Sequence, residues 1–150
     1  MKPYSESCEQ NRNPILEVLN EELVNTGSLL EIGSGTGQHA VYFAPHFPNL
    51  HWQTSDLEAN HDGIKQWLTE ANLPNTLHPL ELDVGSSNWP KTQFEFVYSA
   101  NTAHIMSWAM VVNMLEQIGK ILKPGGKFCL YGPFNYNGRY TSESNLRFDQ

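Results

Sequence analysis

The sequence predicts an α/β fold in which helices cover both faces of a mostly parallel sheet. Short, almost wholly apolar segments such as SLLEI and FCLY alternate with connections of helical length, a pattern typical of parallel strands joined by crossovers. The same segments lack the apolar–polar alternation of a half-exposed strand, as expected when both faces are buried. At 150 residues, the chain suffices for one domain with a substantial core.

The first half of the chain is predicted to form a helix followed by two strand–helix units. Asn13 suits the N-cap of the first helix, and Pro14 suits its first turn. The successive predicted segments are helix 11–23, strand 28–33, helix 37–47, strand 50–55 and helix 63–71. Apolar residues fall on one face of the first and third of these helices, which indicates that they pack on the core.

The second half is predicted to add three strands and one long helix. The predicted elements are a strand near the end of 76–84, strands at 94–100 and at 127–134, and a helix from Ser107 to Leu122. Ser107 is expected to cap that helix, and the glycines of KPGG are expected to end it. Beyond Tyr140 the sequence is polar and predicts no further element.

Composition and charge narrow the class of protein. No run approaches 18 apolar residues, and MKPYSESCEQ lacks the apolar stretch of a signal peptide. We therefore expect a cytoplasmic protein without a membrane segment. Cys8 and Cys129 show no metal-ligand spacing, and no metal site is expected. The net charge of −7 and the scattered basic residues argue against nucleic acid as a partner and favour a small molecule.

Three alternating glycines, Gly33, Gly35 and Gly37, lie between the first predicted strand and the next helix. Ligands of open parallel sheets bind beyond the carboxyl ends of the strands, and glycine lets the backbone approach a ligand closely. A purely structural turn requires fewer glycines, so the motif favours a nucleoside-like ligand. The dinucleotide pattern G-x-G-x-x-G fits poorly, because Gln38 or Ala40 occupies its third glycine position, but NAD stays open as an alternative.

The segment LLEIGSGTG resembles the first motif of class I S-adenosylmethionine-dependent methyltransferases. Asp56 ends the second predicted strand, Asp83 ends the third, and LKPGGKFCLYGPF is similar to the stretch that leads into the fifth strand of that superfamily. The resemblance implies a Rossmann-like, doubly wound sheet with strand order 3-2-1-4-5. It also implies S-adenosyl-L-methionine as the cofactor.

A narrower resemblance covers most of the chain, from about Asn11 to the end. NRNPILEVL, IGSGTGQHAVYFAPHFP, ANTAHIMSW and LYGPFNYNGRYTSESNLRFD together resemble the methyltransferase-like 26 family, whose substrate is unknown. Class I methyltransferases normally have two more strands, numbered 6 and 7, and we expect both to be absent here. Residues 1–150 are therefore expected to form a single, C-terminally incomplete methyltransferase-like domain. If the chain is complete, its fifth strand is expected to be an exposed edge.

The resemblance also implies which residues hold the cofactor. The expected cofactor-binding residues are Glu31, Gly33, Ser34, Gly35, Gly37, Asp56, Leu57, Asp83, Val84 and Asn101. Asp56 would accept hydrogen bonds from the ribose hydroxyls, and Asp83 or its neighbour would contact the adenine amino group. Structural roles stay open as alternatives: a helix N-cap for Asp56, a turn residue for Asp83 and a paired buried carboxylate for Glu31.

The loop SANTAHIMSW, after the fourth predicted strand, is expected to lie beside the sulfonium. Asn101 and His104 are its candidate catalytic residues, and a capping or core role is the alternative for His104. Arg12 is a candidate for binding the methionine carboxylate, with a surface role as the alternative. We therefore expect methyl transfer to an unidentified small molecule. An NAD-dependent oxidoreductase and a non-catalytic S-adenosylmethionine-binding protein are the alternatives, and the oligomeric state is left open.

Overall fold

A computed structural model describes residues 2–23, 26–100, 107–136 and 139–149. Its strands are β1 (Gly27–Ile32), β2 (Leu50–Asp56), β3 (Thr76–Glu81), β4 (Phe94–Ala100), β5 (Leu122–Tyr136) and β6 (Arg139–Asp149). Its α-helices are α1 (Glu6–Glu22), α2 (Gln38–Phe43), α3 (His61–Ala71) and α4 (Trp108–Ile121). Short 3₁₀ turns follow α2 at Ala44–His46 and precede α3 at Glu58–Asn60.

The strands form one sheet in the order β3-β2-β1-β4-β5-β6. The first five of these pair in parallel, which confirms the predicted order 3-2-1-4-5. The order reverses between β1 and β4, and this is the switch point at which open α/β sheets bind ligands.

The expectation that no strand follows the fifth is wrong, and the fifth strand is not an exposed edge. β6 pairs with β5 in the antiparallel direction, with Tyr131 opposite Asn145. The polar residues after Tyr140 gave no strand signal because an antiparallel edge strand does not need apolar residues on both faces. The KPGG stretch ends α4 as predicted, but it lies inside β5, where the pairing with β4 shifts register.

Two apolar layers cover the two faces of the sheet, as the doubly wound prediction requires. On one face, α1, α2 and α3 contribute Ile15, Leu19, Phe43, Ile64 and Leu68, which pack against Leu29, Trp52 and Tyr98 of the sheet. On the other face, α4 contributes Met114, Ile118 and Ile121, which pack against Leu30, Val97 and Phe128. Neighbours such as Leu29 and Leu30 point to opposite faces because side chains alternate along a strand.

The first helix begins earlier than predicted, at Glu6 instead of after Asn13. Ser5 is its N-cap and accepts a hydrogen bond from the Cys8 amide at 3.4 Å, and Pro14 lies inside the helix. Glu6 in the first turn favours this start because its negative charge lies near the partial positive charge at the helix N-terminus. The extra turns carry the N-terminus of α1 to the carboxyl edge of the sheet.

The edge strand β3 occupies the start of the segment 76–84, not its end as predicted, and contains Pro79. Asp83 therefore follows β3 and does not end it. The pairing of β3 with β2 shifts register around Pro79. The side-chain amide of Gln53 donates to the His78 carbonyl at 2.7 Å, and the Thr54 hydroxyl donates to the Leu77 carbonyl at 2.8 Å. Side chains of β2 therefore satisfy backbone groups that the irregular ladder leaves unpaired.

Candidate functional site

The loop between β1 and α2 contains three glycines with left-handed backbone conformations. The φ angles of Gly33, Gly35 and Gly37 are +70°, +60° and +97°, values that residues with a side chain rarely adopt. The Ser34 amide donates to the Ser55 carbonyl at 2.8 Å, and the Gly37 amide donates to the Ser34 carbonyl at 2.9 Å. The loop, residues 33–37, is therefore folded over the carboxyl end of β2.

Two of these glycines serve different purposes. A Cβ atom at Gly37 would lie 3.2 Å from the Ile64 Cα and 3.2 Å from the Trp67 Cβ, so this glycine permits close packing of the loop on α3. A Cβ atom at Gly35 would have no neighbour within 4 Å. The space beside Gly35 is open, and it lies at the switch point where a ligand is expected.

Glu31, near the end of β1, is a buried carboxyl group. Its Oε1 accepts hydrogen bonds from the Ser34 hydroxyl at 2.9 Å and from the Trp52 indole N–H at 3.1 Å. Burial outweighs these two bonds and raises the pKa of Glu31 to about 7. Glu31 is thus a buried carboxyl group with hydrogen-bond partners, as in the structural alternative given above. Its bond to the Ser34 hydroxyl anchors the glycine loop.

Asp56, the last residue of β2, points at the glycine loop. Its Oδ2 accepts from the Gly35 amide at 2.8 Å, and its Oδ1 accepts from the Leu57 amide at 2.7 Å and the Asn60 side-chain amide at 3.0 Å. The N-cap of α3 is Asn60, so the capping alternative for Asp56 is wrong. A carboxylate oxygen accepts about two hydrogen bonds, so Oδ2 keeps capacity for a donor from a ligand.

Asp83 lies in the turn after β3 and next to the end of β2, since the Leu82 amide donates to the Asp56 carbonyl at 3.0 Å. The exposed Asp83 accepts from the Gly85 amide at 3.0 Å, which is the turn role given as an alternative. Sequence reasoning missed Asn113 of α4, whose side chain donates to the carbonyls of Val84 and Ser86 at 2.7 and 2.9 Å. The signal that could have identified Asn113 was a single amide side chain within the apolar run VVNML.

A comparison with known protein families identifies the family to which this chain belongs. The model of a family described as a protein of unknown function, DUF938, matches residues 2–150. The chain belongs to the DUF938 family. The narrower resemblance to the methyltransferase-like 26 family stays a prediction.

Solved structures show the fold of this DUF938 chain in other proteins. The S-adenosylmethionine-dependent methyltransferase SibL, in its apo form, has a TM-score of 0.76 and 19% identity over 88% of this chain and 38% of its own. An O-methyltransferase family protein from Burkholderia thailandensis has a TM-score of 0.74 and 16% identity over 87% and 40%. PKMT2 from Rickettsia typhi, in complex with AdoHcy, has a TM-score of 0.62 and 21% identity over 72% and 21%.

At such identities, these likenesses establish the Rossmann-like methyltransferase fold. The DUF938 chain spans two fifths or less of the length of these three proteins.

The remaining predicted residues of the DUF938 chain fall in three places. Asn101 and His104 lie outside the described residues, so their catalytic roles stay predictions. The Arg12 guanidinium contacts Glu9 at 3.2 Å and lies 4.4 Å from the Tyr42 ring centre, which matches its surface alternative. Leu57, beside Asp56, is 49% exposed.

Two expected absences concern metals and membranes. Within the described part of the chain, no group of three or more His, Cys, Asp or Glu side chains is placed to hold a metal ion. Among the helices that the structure describes, none is both long and apolar enough to cross a membrane.

Gln38 and His39, at the start of α2, are buried polar residues. The His39 Nδ1 lies 3.2 Å from the Tyr98 hydroxyl, and burial lowers the pKa of His39 to about 4, so this imidazole is neutral at physiological pH. Sequence reasoning treated Gln38 only as a missing glycine, yet it is 2% exposed and both ends of its side-chain amide are hydrogen-bonded. A buried side-chain amide beside the glycine loop needs hydrogen-bond partners, and Gln38 has them.

Proposed function

We propose that residues 1–150 form a single S-adenosylmethionine-binding domain that transfers a methyl group to a small-molecule acceptor. One observation carries this proposal: the open space beside Gly35, whose amide is held by Asp56 at 2.8 Å. The open space lets a ligand approach the backbone at Gly35, and a carboxylate at its edge suits the ribose hydroxyls. The fold supports methyl transfer, because solved methyltransferases share it.

Each part of the cofactor has a matching strand end. Asp56 at the end of β2 binds the ribose, while Leu57 and the turn with Asp83 and Val84 contact the adenine. The glycine loop at the end of β1 then takes the amino-acid part, with Glu31 behind it. The negative charge of the Asp56 carboxylate also favours binding of the cationic sulfonium.

The chemistry requires mainly alignment. Methyl transfer is an in-line displacement from an activated sulfonium, and holding both reactants in line contributes on the order of 7–11 kcal/mol. Asn101 and His104 are proposed to border the acceptor, with His104 as the base where the acceptor must lose a proton. The net charge of −7 supports a small acceptor over nucleic acid.

A cytoplasmic location belongs to the same proposal. It is supported by Cys8 and Cys129, which form no disulfide within the described residues.

Calorimetric titration with S-adenosylhomocysteine and with NAD tests the cofactor. We expect heat with S-adenosylhomocysteine alone, and binding about 10- to 100-fold weaker in Asp56→Ala because a charged hydrogen bond to ribose is lost. The exposed Asp62 of α3 gives the matched control, Asp62→Ala, which should bind as the wild type does. Binding of NAD alone would replace this function with the oxidoreductase alternative.

Transfer of a labelled methyl group to a small-molecule extract tests catalysis. Labelled product with the wild type, and only background with Asp56→Ala, supports the enzyme. Tight binding of S-adenosylhomocysteine without any transfer would favour the non-catalytic alternative.

A further inference from the structure

The N-terminal residues 2–5, here called the strap, lie at the carboxyl edge of the sheet. The direction of α1 explains this placement. Near the end of α1, Glu22 contacts Lys127 at 3.1 Å, and Lys127 pairs with β4 close to where β4 begins. The opposite end of α1 therefore reaches the edge where the strands end, beside the glycine loop.

Gln38 joins the strap to the glycine loop. Its Oε1 accepts from the Ser5 amide and from the Thr36 hydroxyl, and its Nε2 donates to the Ser5 carbonyl at 3.1 Å and to Glu9 at 3.3 Å. These four bonds use both lone pairs and both N–H groups of the side-chain amide. Because Gln38 is buried, moving the strap away leaves these groups unpaired or exposes them to water.

The rest of the strap is held by α3 through surface contacts. The Trp67 indole N–H donates to the Pro3 carbonyl. The Lys2 ammonium lies 3.8 Å from the Trp67 ring centre and 2.9 Å from Glu70. The Lys2–Glu70 ion pair is exposed, and ion pairs and cation–π contacts at exposed sites are individually weak. The body of α1, by contrast, is anchored in the core by buried Ile15. The strap can therefore open while the domain stays folded.

The strap connects the two segments that the proposed function assigns to the cofactor. Gln38, which binds the strap, also accepts a hydrogen bond from Thr36 of the glycine loop. Helix α3, which contacts the strap, follows the segment after β2, in which the Asn60 side chain donates to Asp56 at 3.0 Å. In the proposed function, adenine, ribose and the amino-acid part follow one another along the sheet order β3-β2-β1. Gln38 links the strap to the loop at the amino-acid end of that series.

We propose that Gln38 is a positioning residue that locks the strap onto the glycine loop and so closes the amino-acid end of the methyl-donor site. The inference rests on the proposed function, because it assumes that this site binds S-adenosylmethionine. Closure and binding are then reciprocal: a ligand with an amino-acid part stabilises the closed strap, and the closed strap tightens the binding of that ligand. A ligand without that part gains nothing from closure.

Two ligands and two kinds of variant test this coupling. The Lys2→Ala/Trp67→Phe double variant loosens the strap, while the phenylalanine keeps the Cβ atom that packs against Gly37 of the glycine loop. Gln38→Leu removes the connection itself. Gln93→Leu changes an exposed glutamine before β4, at the opposite edge of the sheet, and is the matched control. Calorimetry with S-adenosylhomocysteine and with 5′-methylthioadenosine, which lacks the amino-acid part, measures both affinities, and thermal unfolding checks the fold.

We expect the double variant and Gln38→Leu to bind S-adenosylhomocysteine about tenfold more weakly, and 5′-methylthioadenosine as the wild type does. Hydrogen exchange followed by mass spectrometry should show that S-adenosylhomocysteine slows the amides of residues 5–9 in the wild type and in Gln93→Leu. This slowing should be lost in Gln38→Leu. If Gln38→Leu does not fold, the double variant decides by the same difference between the two ligands.

Two results would overturn the inference and leave the proposed function standing. One is an equal loss of affinity for both ligands in the strap variants, and the other is no loss for either. A wild-type protein that binds neither ligand would instead reject the proposed function, and the inference with it.

Discussion

Glu31 is a carboxyl group whose ionisation works against folding. Its pKa in the folded protein is about 7, above the 4.5 of an ordinary glutamate, because burial disfavours the charged form. The stabilisation that the protonated group provides is complete below about pH 4.5 and is lost as the pH rises through 7. The size of this loss is about 3 kcal/mol, from 1.36 kcal/mol per pKa unit.

Glu31→Gln should therefore gain stability relative to the wild type as the pH rises from 5 to 8. The amide oxygen still accepts from Ser34 and Trp52, but it carries no charge. Urea unfolding at pH 5, 6, 7 and 8 measures the difference, and Glu116→Gln, at an exposed site on α4, is the control. A constant difference between Glu31→Gln and the wild type across this range would contradict the account of Glu31.

Gly35 and Gly37 should respond differently to a methyl group. Gly35→Ala costs about 1–2 kcal/mol from its left-handed backbone but meets no neighbour, so the variant should fold and lose ligand binding. Gly37→Ala adds a clash with Ile64 and Trp67, and should lose about 3 kcal/mol or more. Urea unfolding and titration with S-adenosylhomocysteine on each variant separate the two roles. Equal destabilisation would contradict this assignment.

At the scale of elements, the sequence pattern predicted all five parallel strands. β1 and β4, at the centre of the sheet, are almost wholly buried, whereas the outer strand β3 is largely exposed. The pattern did not find β6, whose residues are polar, nor the true start of α1, where Pro14 suggested a boundary eight residues too late. Asp56 was identified because it ends a strand after a recognisable motif. Gln38 and Asn113 were missed because their partners come from distant parts of the chain, and no local pattern contains them.

Asn113 of α4 should control the turn that carries Asp83. Asn113→Ala removes two hydrogen bonds, to Val84 and Ser86, at a cost of about 1–2 kcal/mol. We expect faster amide exchange at residues 84–88 and weaker binding of 5′-methylthioadenosine, measured by mass spectrometry and calorimetry. Glu116→Ala, at an exposed position on the same helix, should change neither, and unchanged exchange in Asn113→Ala would disprove the role of Asn113.

For the whole molecule, a ligand that bridges the ends of β1, β2 and β3 should stabilise the entire fold. Saturating S-adenosylhomocysteine, at 100 times its dissociation constant, should add about 2.7 kcal/mol to the free energy of unfolding. Thermal unfolding at increasing ligand concentration measures the effect, and Asp56→Ala should require more ligand for the same shift. A melting temperature that does not change with ligand would contradict binding to the folded state.

Pro79 has a consequence for how copies of this protein behave when crowded together. The outer strand β3 exposes Leu77 and Leu80, and such an edge invites another chain to add itself by backbone pairing and begin an aggregate. A proline offers no N–H for that pairing, and the register shift around it breaks the ladder's regular spacing. Pro79 thus allows two apolar side chains to remain exposed on the outermost strand without making that strand a nucleus for fibril formation.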